Sequence, residues 1–446
     1  MVCFTLLIQN YYRDWFGFDN QFFQDVDQYY SYCIMAWVKN DLSFNNPVSV
    51  ERGYWLVTTE KGKIQRFTMG MAIMYSPFFL IAHFFSQAFN LPCTGYTPIY
   101  SFFISLGTLF YVFIGLFFLR KALLYYFSEK VVAVTLFSLY LCTNLFYYTV
   151  GYGELSHSYL FSLLSIYVYF SIQWVKTFRD RYLYIVAFIL GFSTLIRPIE
   201  ILNFLFVFLL FALTDYQEMI NKLRQGYLKI LLSIFIFLLP FLLQMIYWRV
   251  YAGNWLIYTY QREGFFWSDP KVLELLFSYR NGAVVYSPIL LFGFLGFLFL
   301  YKMNKKIFFS CLITLMVALY VVSCWWTWWY GGGYGNRALV EYYVYVSFGL
   351  SAFYSFTFEK INGLKNRAFR WLTNGVLVAL LAIFFINNLV RHYQKIIGVL
   401  HWDSMTKEAY WYLGWKVRFD INDRIKLDSL YVHPDYEEAV KGNRDQ

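Results

Sequence analysis

Charge is what this chain has least of. Asp, Glu, Lys and Arg make up 14% of its 446 residues, against roughly 25% in soluble domains, which excludes an ordinary water-exposed globular surface. Cysteine is sparse and scattered: Cys3, Cys33, Cys93, Cys142, Cys311 and Cys324 contain no C-x-x-C pair, so zinc-ribbon and thioredoxin-like redox chemistry find no support. Cys33 and Cys93 both fall in segments read below as outward-facing and could pair as a disulfide. Internal repeats, low-complexity tracts and a second soluble domain are also lacking. The formal charge of +10 raises the question of nucleic acid. The basic residues sit mostly at the ends of apolar runs on one side, where charge sets membrane topology instead, and no nucleic-acid partner is expected.

What the chain has is apolar length. Hydrophobic residues make up 59% and aromatics 24%, and stretches able to cross about 30 Å of hydrocarbon recur from residue 98 to residue 391. The reading is an all-α, polytopic transmembrane bundle with juxtamembrane helices in its first extracytoplasmic loop. Alternating spans are expected at Pro98–Phe118, Val131–Tyr148, His157–Trp174, Leu183–Ile196, Ile199–Leu213, Leu228–Trp248, Val284–Leu300, Ile307–Cys324, Ala338–Phe356 and Leu372–Val390. Basic clusters at Arg120–Lys130, Lys176–Arg181, Lys222–Lys229, Lys302–Lys306 and Lys360–Arg370 occupy every second loop and mark it as cytoplasmic. The alternate loops face outward. Residues 1–391 then form the transmembrane domain, with its first outward loop at about 10–97, and residues 392–446 a small extracytoplasmic tail.

Two places depart from this pattern. Met71–Asn90 has the length of a span, but Ser76, Pro77 and His83 interrupt it and the parity of the loops favours a juxtamembrane helix. The only apolar run at the N-terminus, Met1–Gln9, is too short to cross. An outward start then has no export signal, and a first transmembrane helix is expected to be truncated or to lie upstream. The paired spans around Arg197-Pro198 are also short: about thirty residues at about 1.5 Å each fall short of two crossings. The turn is therefore expected below the outer surface, with Arg197 recessed and facing a phosphate, the alternative being an arginine that snorkels to headgroups.

Unusual polar chemistry collects in the outward loops. Asp25 and Asp27, two apart, diverge on a helix, and Asp27 is the better placed to face a cavity. There it could act as a general base or bind a divalent cation beside a phosphate; a solvated loop pair is the plainer alternative. Glu154 and His157, three apart, are expected on one helical face, to hold a metal, to orient an acceptor or to cap a helix. The Arg249–Ala283 loop interleaves aromatics, Trp267 among them, with polar groups. This suits sugar rings, as it suits a membrane interface. Arg280, before Asn281-Gly282 and a helix, is placed to grip an anion. Trp325–Arg337 brackets four glycines within five residues with Trp328, Trp329 and Arg337, so that backbone amides can approach a ligand closely.

Together these pieces resemble the GT-C superfamily of integral-membrane glycosyltransferases, in particular bacterial relatives of protein O-mannosyltransferases (glycosyltransferase family 39) and of the lipid A aminoarabinose transferase. The likeness covers nearly the whole chain. It rests on Asp27-Gln28-Tyr29-Tyr30, Arg66-Phe67-Thr68-Met69-Gly70 with Ser76-Pro77-Phe78-Phe79, and Leu195-Ile196-Arg197-Pro198. It continues in Arg280-Asn281-Gly282 with Tyr286-Ser287-Pro288, and in Trp328-Trp329-Tyr330-Gly331-Gly332 through Gly335-Asn336-Arg337. Asn336 stands where a proline is common in the family.

The resemblance implies a transferase that moves a sugar from a polyprenyl-phosphate donor to an extracytoplasmic hydroxyl on a glycan, lipid or protein, at the outer face of a bacterial inner membrane. It implies Asp27 as the catalytic acid-base residue and Arg197, Arg280 and Arg337 as holders of the donor phosphate. Asp25, Glu154 and His157 are candidates for acceptor or metal contact, and Trp267, Trp328 and Trp329 for sugar stacking. No cofactor is required by this reading, although a divalent cation is compatible with it. The competing readings are a flippase or transporter of lipid-linked sugars, which needs polar residues along a path that Leu231–Leu239 and Leu290–Leu300 do not offer, and an O-antigen ligase or polymerase using diphosphate donors.

Overall fold

The computed structural model describes residues 24–213 and 226–444, together with residues 5, 22, 220 and 221. The short N-terminal run expected to be part of a first span therefore lies outside the described residues, apart from Thr5. The fold is all-α and polytopic. Among the described residues, six helices are long and apolar enough to cross a membrane: Gly70–Ala88, Pro98–Leu123, Ser156–Thr177, Tyr227–Ala252, Lys305–Cys324 and Arg367–Ile396. Shorter apolar helices cover Leu290–Met303 and Pro198–Ala212. Helices Glu129–Leu141, Asp180–Ile196 and Tyr343–Asn362 complete the long elements. A two-stranded antiparallel hairpin pairs Leu56–Thr58 with Lys63–Gln65.

Gly70–Ala88 runs unbroken through Pro77, which corrects the expectation that Ser76, Pro77 and His83 interrupt it. His83 is held through Nδ1 to the Tyr100 hydroxyl at 2.7 Å, so its polarity is satisfied locally. By length and composition this helix meets the measure of a crossing, where the sequence favoured a juxtamembrane placement. Asp180–Ile196 has 17 residues, or about 25 Å at about 1.5 Å per residue, short of about 30 Å of hydrocarbon. It ends at an extended Arg197, and a 3-10 turn at Pro198–Asn203 leads into Phe204–Ala212.

The chain divides into two compact units. The first comprises Met1–Gly115, Tyr152–Phe204 and Gln217–Arg262, the second Leu116–Gly151, Leu205–Tyr216 and Glu263–Gln446.

In the first unit the helices share a polarity. Lys229, at the start of Tyr227–Ala252, bonds Asp180 at 2.8 Å, so two basic loops expected on one side do meet. At the opposite end the same long helix offers Gln244 Oε1 to the Met69 amide at 2.8 Å. Thr68 donates to the Leu195 carbonyl at 2.5 Å. A Cβ on Gly70 would stand 2.7 Å from Ile196, so glycine lets the Gly70–Ala88 helix begin directly against the end of Asp180–Ile196. Most of Tyr227–Ala252 is exposed, with Leu228, Leu231, Phe235, Leu242 and Leu243 bare. A face that apolar would be a liability in water and is what lipid requires.

The second unit repeats the arrangement. Arg120 bonds Glu129 at 2.7 Å, and Lys130 lies 4.4 Å from the Phe358 ring centre, which gathers two further basic loops at one end. Helices Leu290–Met303 and Tyr343–Asn362 pack at contact distance through Gly293, Gly296 and Gly349. A Cβ on Gly296 would overlap the Gly349 carbonyl, and one on Gly349 the Gly293 carbonyl. Small residues at such crossings let helix backbones approach where lipid supplies no hydrophobic drive. At the other end Asn144 donates to the Tyr334 carbonyl at 2.8 Å and accepts from the Tyr343 hydroxyl at 2.5 Å. Asn388 donates to the carbonyls of Leu141 and Thr143.

Candidate active site

Asp27 lies on the Gln24–Ile34 helix, which continues through a π-turn at Met35–Lys39 and stops at Asn40 with φ of 52°. Asparagine is among the residues best suited to that left-handed cap. Asp25 is partly exposed on the same helix, and Asp27 is only 4% exposed. The solvated-pair alternative is thereby overturned for Asp27.

Arg52 Nη2 donates to Asp27 Oδ2 at 2.9 Å, and the Tyr96 hydroxyl donates to Oδ1 at 3.1 Å. Because Tyr96 gives its proton to Asp27, Tyr54, 2.5 Å away, donates to Tyr96. Arg52 also lies over the Tyr96 ring at 4.0 Å. Burial lifts the Asp27 carboxyl above its ordinary value, with Arg52 and Tyr96 pulling the other way. An ion pair in which desolvation prevails leaves a carboxylate that is more basic than a surface aspartate.

Hydrogen bonds and ring contacts link the motifs of this unit. Gln28 Oε1 accepts from the Trp55 amide at 2.6 Å, Tyr32 donates to the Phe67 carbonyl at 2.9 Å, and the Tyr29 and Phe67 rings are 4.7 Å apart. The segment at residues 66–70 thus joins the Asp27 helix to Leu195-Ile196, immediately before Arg197. Arg66 itself lies 5.0 Å from the Tyr260 ring centre and 5.9 Å from those of Trp55 and Phe67.

Tyr75 makes a second bridge. Its ring neighbours Tyr30 at 6.2 Å and its hydroxyl donates to the Glu154 carbonyl. Glu154 is buried and accepts from Ser105 Oγ at 2.7 Å. The helix that follows begins only at Ser156, so Glu154 and His157 do not share a helical face as expected. The chain turns between them. His157, also buried, accepts from Arg197 Nη1 at Nδ1 across 3.2 Å. Arg197 is half-buried at the end of its helix. Arg52, Tyr96 and Ser105 are marked by no motif or spacing in the sequence, and only the folded chain brings them to the carboxylates.

The second unit holds the other candidates. Arg280 is 8% exposed. Its Nη2 donates to the Val432 carbonyl at 3.2 Å, its guanidinium lies 5.4 Å from the Trp329 ring centre, and its Nη1 is buried without a hydrogen-bond partner. Burial lowers its pKa, against the pull of Asp403 and Tyr436. Asn281 donates to the carbonyls of Trp329 and Trp402 at 3.1 and 2.8 Å, tying the loop of residues 280–282 to the tryptophan-rich loop. Arg337, half-buried, opens a 3-10 turn rather than a full helix.

Trp328 and Trp329 are 4% and 1% exposed and pack edge-on at 5.6 Å. Their faces are covered, so neither can stack on a sugar in this arrangement. The cause is the tail, which folds back over them: Trp328 Nε1 donates to the Arg444 carbonyl at 3.1 Å and Trp329 neighbours Tyr436 at 5.9 Å. Trp267 is exposed and stacks on Phe265 at 5.0 Å. Cys33 and Cys93 are both free thiols, each bonded to a backbone carbonyl, so the suggested disulfide is not made.

Among the described residues, three metal-ligating side chains meet in one place that the sequence reading passed over: His401, Asp403 and His433. The signal was a His-x-Asp spacing, but its partner lies thirty residues on.

No family model matches the chain, and no curated protein does. Among solved structures, the fold is similar to that of the apo oligosaccharyltransferase of Archaeoglobus fulgidus, with a TM-score of 0.49 and 13% identity, over 97% of this chain and 60% of that one.

Proposed function

We propose that this chain is a membrane glycosyltransferase of the GT-C type that moves a sugar from a polyprenyl-phosphate donor to a hydroxyl on an extracytoplasmic glycan, lipid or protein. The observation that carries the reading is Asp27: a carboxylate 4% exposed, made more basic by burial, and standing in the same unit as the Glu154 and Arg197 groups. In the reaction Asp27 takes the proton of the acceptor hydroxyl. The acceptor oxygen forms its bond to the anomeric carbon as the bond from that carbon to the phosphate oxygen breaks, and the electron pair leaves with the phosphate. A single displacement of this kind inverts the anomeric configuration.

The leaving group needs charge neutralised more than it needs a proton, which suits guanidinium groups and their paired hydrogen bonds. Arg197, presented by His157, is assigned that task in the first unit, and Arg280 and Arg337 the same chemistry in the second. Glu154 and Asp25 are assigned to the acceptor side. Arg52 and Tyr96 position the Asp27 carboxylate.

The test is transfer by purified protein from a panel of polyprenyl-phosphate sugars, with diphosphate-linked sugars as the contrasting arm. Asp27→Asn should lower turnover by at least about 100-fold, the lower range for loss of a positioned base, while donor binding persists. Near-normal turnover in that variant rejects the role of Asp27. Transfer from diphosphate donors alone replaces the donor assignment.

A further inference from the structure

The His401, Asp403 and His433 side chains offer ligand atoms that all lie within 4.8 Å of one another. We propose that they form a binding site for a divalent transition metal of the zinc class, which fastens the tail to itself beside Arg280. The proposal is independent of the transferase reading.

Three observations support it. First, the atoms are already crowded in the manner of ligands. His401 Nδ1 accepts weakly from the amides of Asp403 and Ser404 at 3.4 and 3.2 Å, yet Asp403 Oδ1 is 3.1 Å away. Two acceptors at that separation call for a proton or a cation between them. Two ligands on one tetrahedral zinc, with bonds of about 2.0 Å, stand about 3.3 Å apart.

Second, the donor set suits the ion. Two imidazoles and one carboxylate form a borderline nitrogen–oxygen set that favours zinc and its neighbours over magnesium or calcium, and three protein ligands leave a fourth position for water. Asp403 is buried, at 5% exposed, with its carboxylate turned into the cluster.

Third, the cluster is braced as ligating groups are. Ser404 Oγ donates to Asp403 Oδ1 at 2.7 Å and lies 2.8 Å from His433 Nδ1, and Tyr436 donates to Asp403 Oδ2 at 2.5 Å. Such outer contacts orient ligands and support affinity. The two segments are also paired through the backbone, with the Val432 amide donating to the Ser404 carbonyl at 3.1 Å. His433 is exposed, which leaves the cluster open to an ion from solvent.

The site has a place in the architecture. Val432, next to His433, supplies the carbonyl that holds Arg280, and a Cβ on Gly331 would meet the Tyr436 hydroxyl at 2.6 Å and Asp403 Cβ at 3.6 Å. An ion that joins residues 401–403 to 433 therefore braces the arginine and the glycine-rich loop together.

The experiment uses the full chain in detergent, purified without a histidine tag, stripped with chelator and titrated with Co2+ and then with Zn2+. Wild type should develop the visible absorption of tetrahedral Co2+, saturate at about one equivalent and retain zinc through gel filtration. His433→Ala and Asp403→Asn should each weaken metal binding by at least about 10-fold, and His433→Asn serves if the alanine variant does not fold. Zinc should raise the melting temperature of wild type and not of the variants. Absence of the cobalt band with no zinc retained, or equal uptake by wild type and both variants, overturns the proposal.

Discussion

Asp27 is held by a guanidinium and a phenol, and yet its burial outweighs both. That balance fixes the sign of two predictions. The folded-state pKa lies above the ordinary aspartate value of 3.8, so the proton leaves more readily from the unfolded chain, and ionisation costs the fold stability as pH rises through the interval between the two. Asp27→Asn, which mimics the neutral side chain, should melt at or above the wild-type temperature at pH 7 while transfer is lost. A clear fall in melting temperature would make the residue a structural anchor instead. With Asp27 in the proposed role of base, transfer by wild type should decline as pH falls through the raised pKa, with an acid limb above the ordinary aspartate range. At this scale several candidate residues of each unit could be read from the chain. Asp27, Arg197 and Arg280 announce themselves as rare polar residues beside motifs. Arg52 does not, because its stretch has no periodicity and it meets Asp27 across 25 residues. Glu154 and His157 were read on one face because three-residue spacing implies it only once a helix has begun, and here it begins at Ser156.

At the scale of elements, glycine decides how two helices of the second unit meet. Gly293, Gly296 and Gly349 place backbone against backbone, where an added methyl has nowhere to go except into a carbonyl. Gly296→Ala should therefore destabilise the detergent-solubilised protein by about 1–3 kcal/mol, the usual cost of overpacking. Gly375→Ala, whose added methyl would meet no atom within 4 Å, should be neutral or slightly stabilising, since alanine is the better helix former. Thermal melts of the two variants side by side check the contrast. The helices themselves were largely legible, because apolar length and basic ends mark them. Their finer breaks were not: Val284–Leu300 is interrupted between Tyr286 and Leu290, and Pro77 leaves its helix intact. Proline in a lipid-facing helix is tolerated when neighbouring groups take up the freed backbone.

At the scale of the molecule, alternate loops gather into a basic set and a set rich in aromatic and ligand-like groups, and each unit keeps the two sets at opposite helix ends. If basic loops are cytoplasmic, a thiol at exposed Trp415, introduced as Trp415→Cys in a Cys93→Ser background, should react with a membrane-impermeant maleimide on intact cells. Lys302→Cys should react only after permeabilisation. The reverse pattern would put the tail end of the second unit in the cytoplasm and overturn the loop assignment made from its basic clusters.

The tail was read only as a polar appendage, since nothing in its composition shows that Arg444 is 1% exposed. Arg444 donates to the carbonyls of Ser323 and Trp325 at 3.2 and 3.0 Å and bonds the Asp269 carboxylate at 3.0 Å. These contacts span 119 to 175 residues of chain. During synthesis the tryptophan-rich loop would thus emerge and wait uncovered until the ribosome delivers its keystone. A nascent chain stalled before residue 444 should still thread its helices yet leave those indoles open to quenchers.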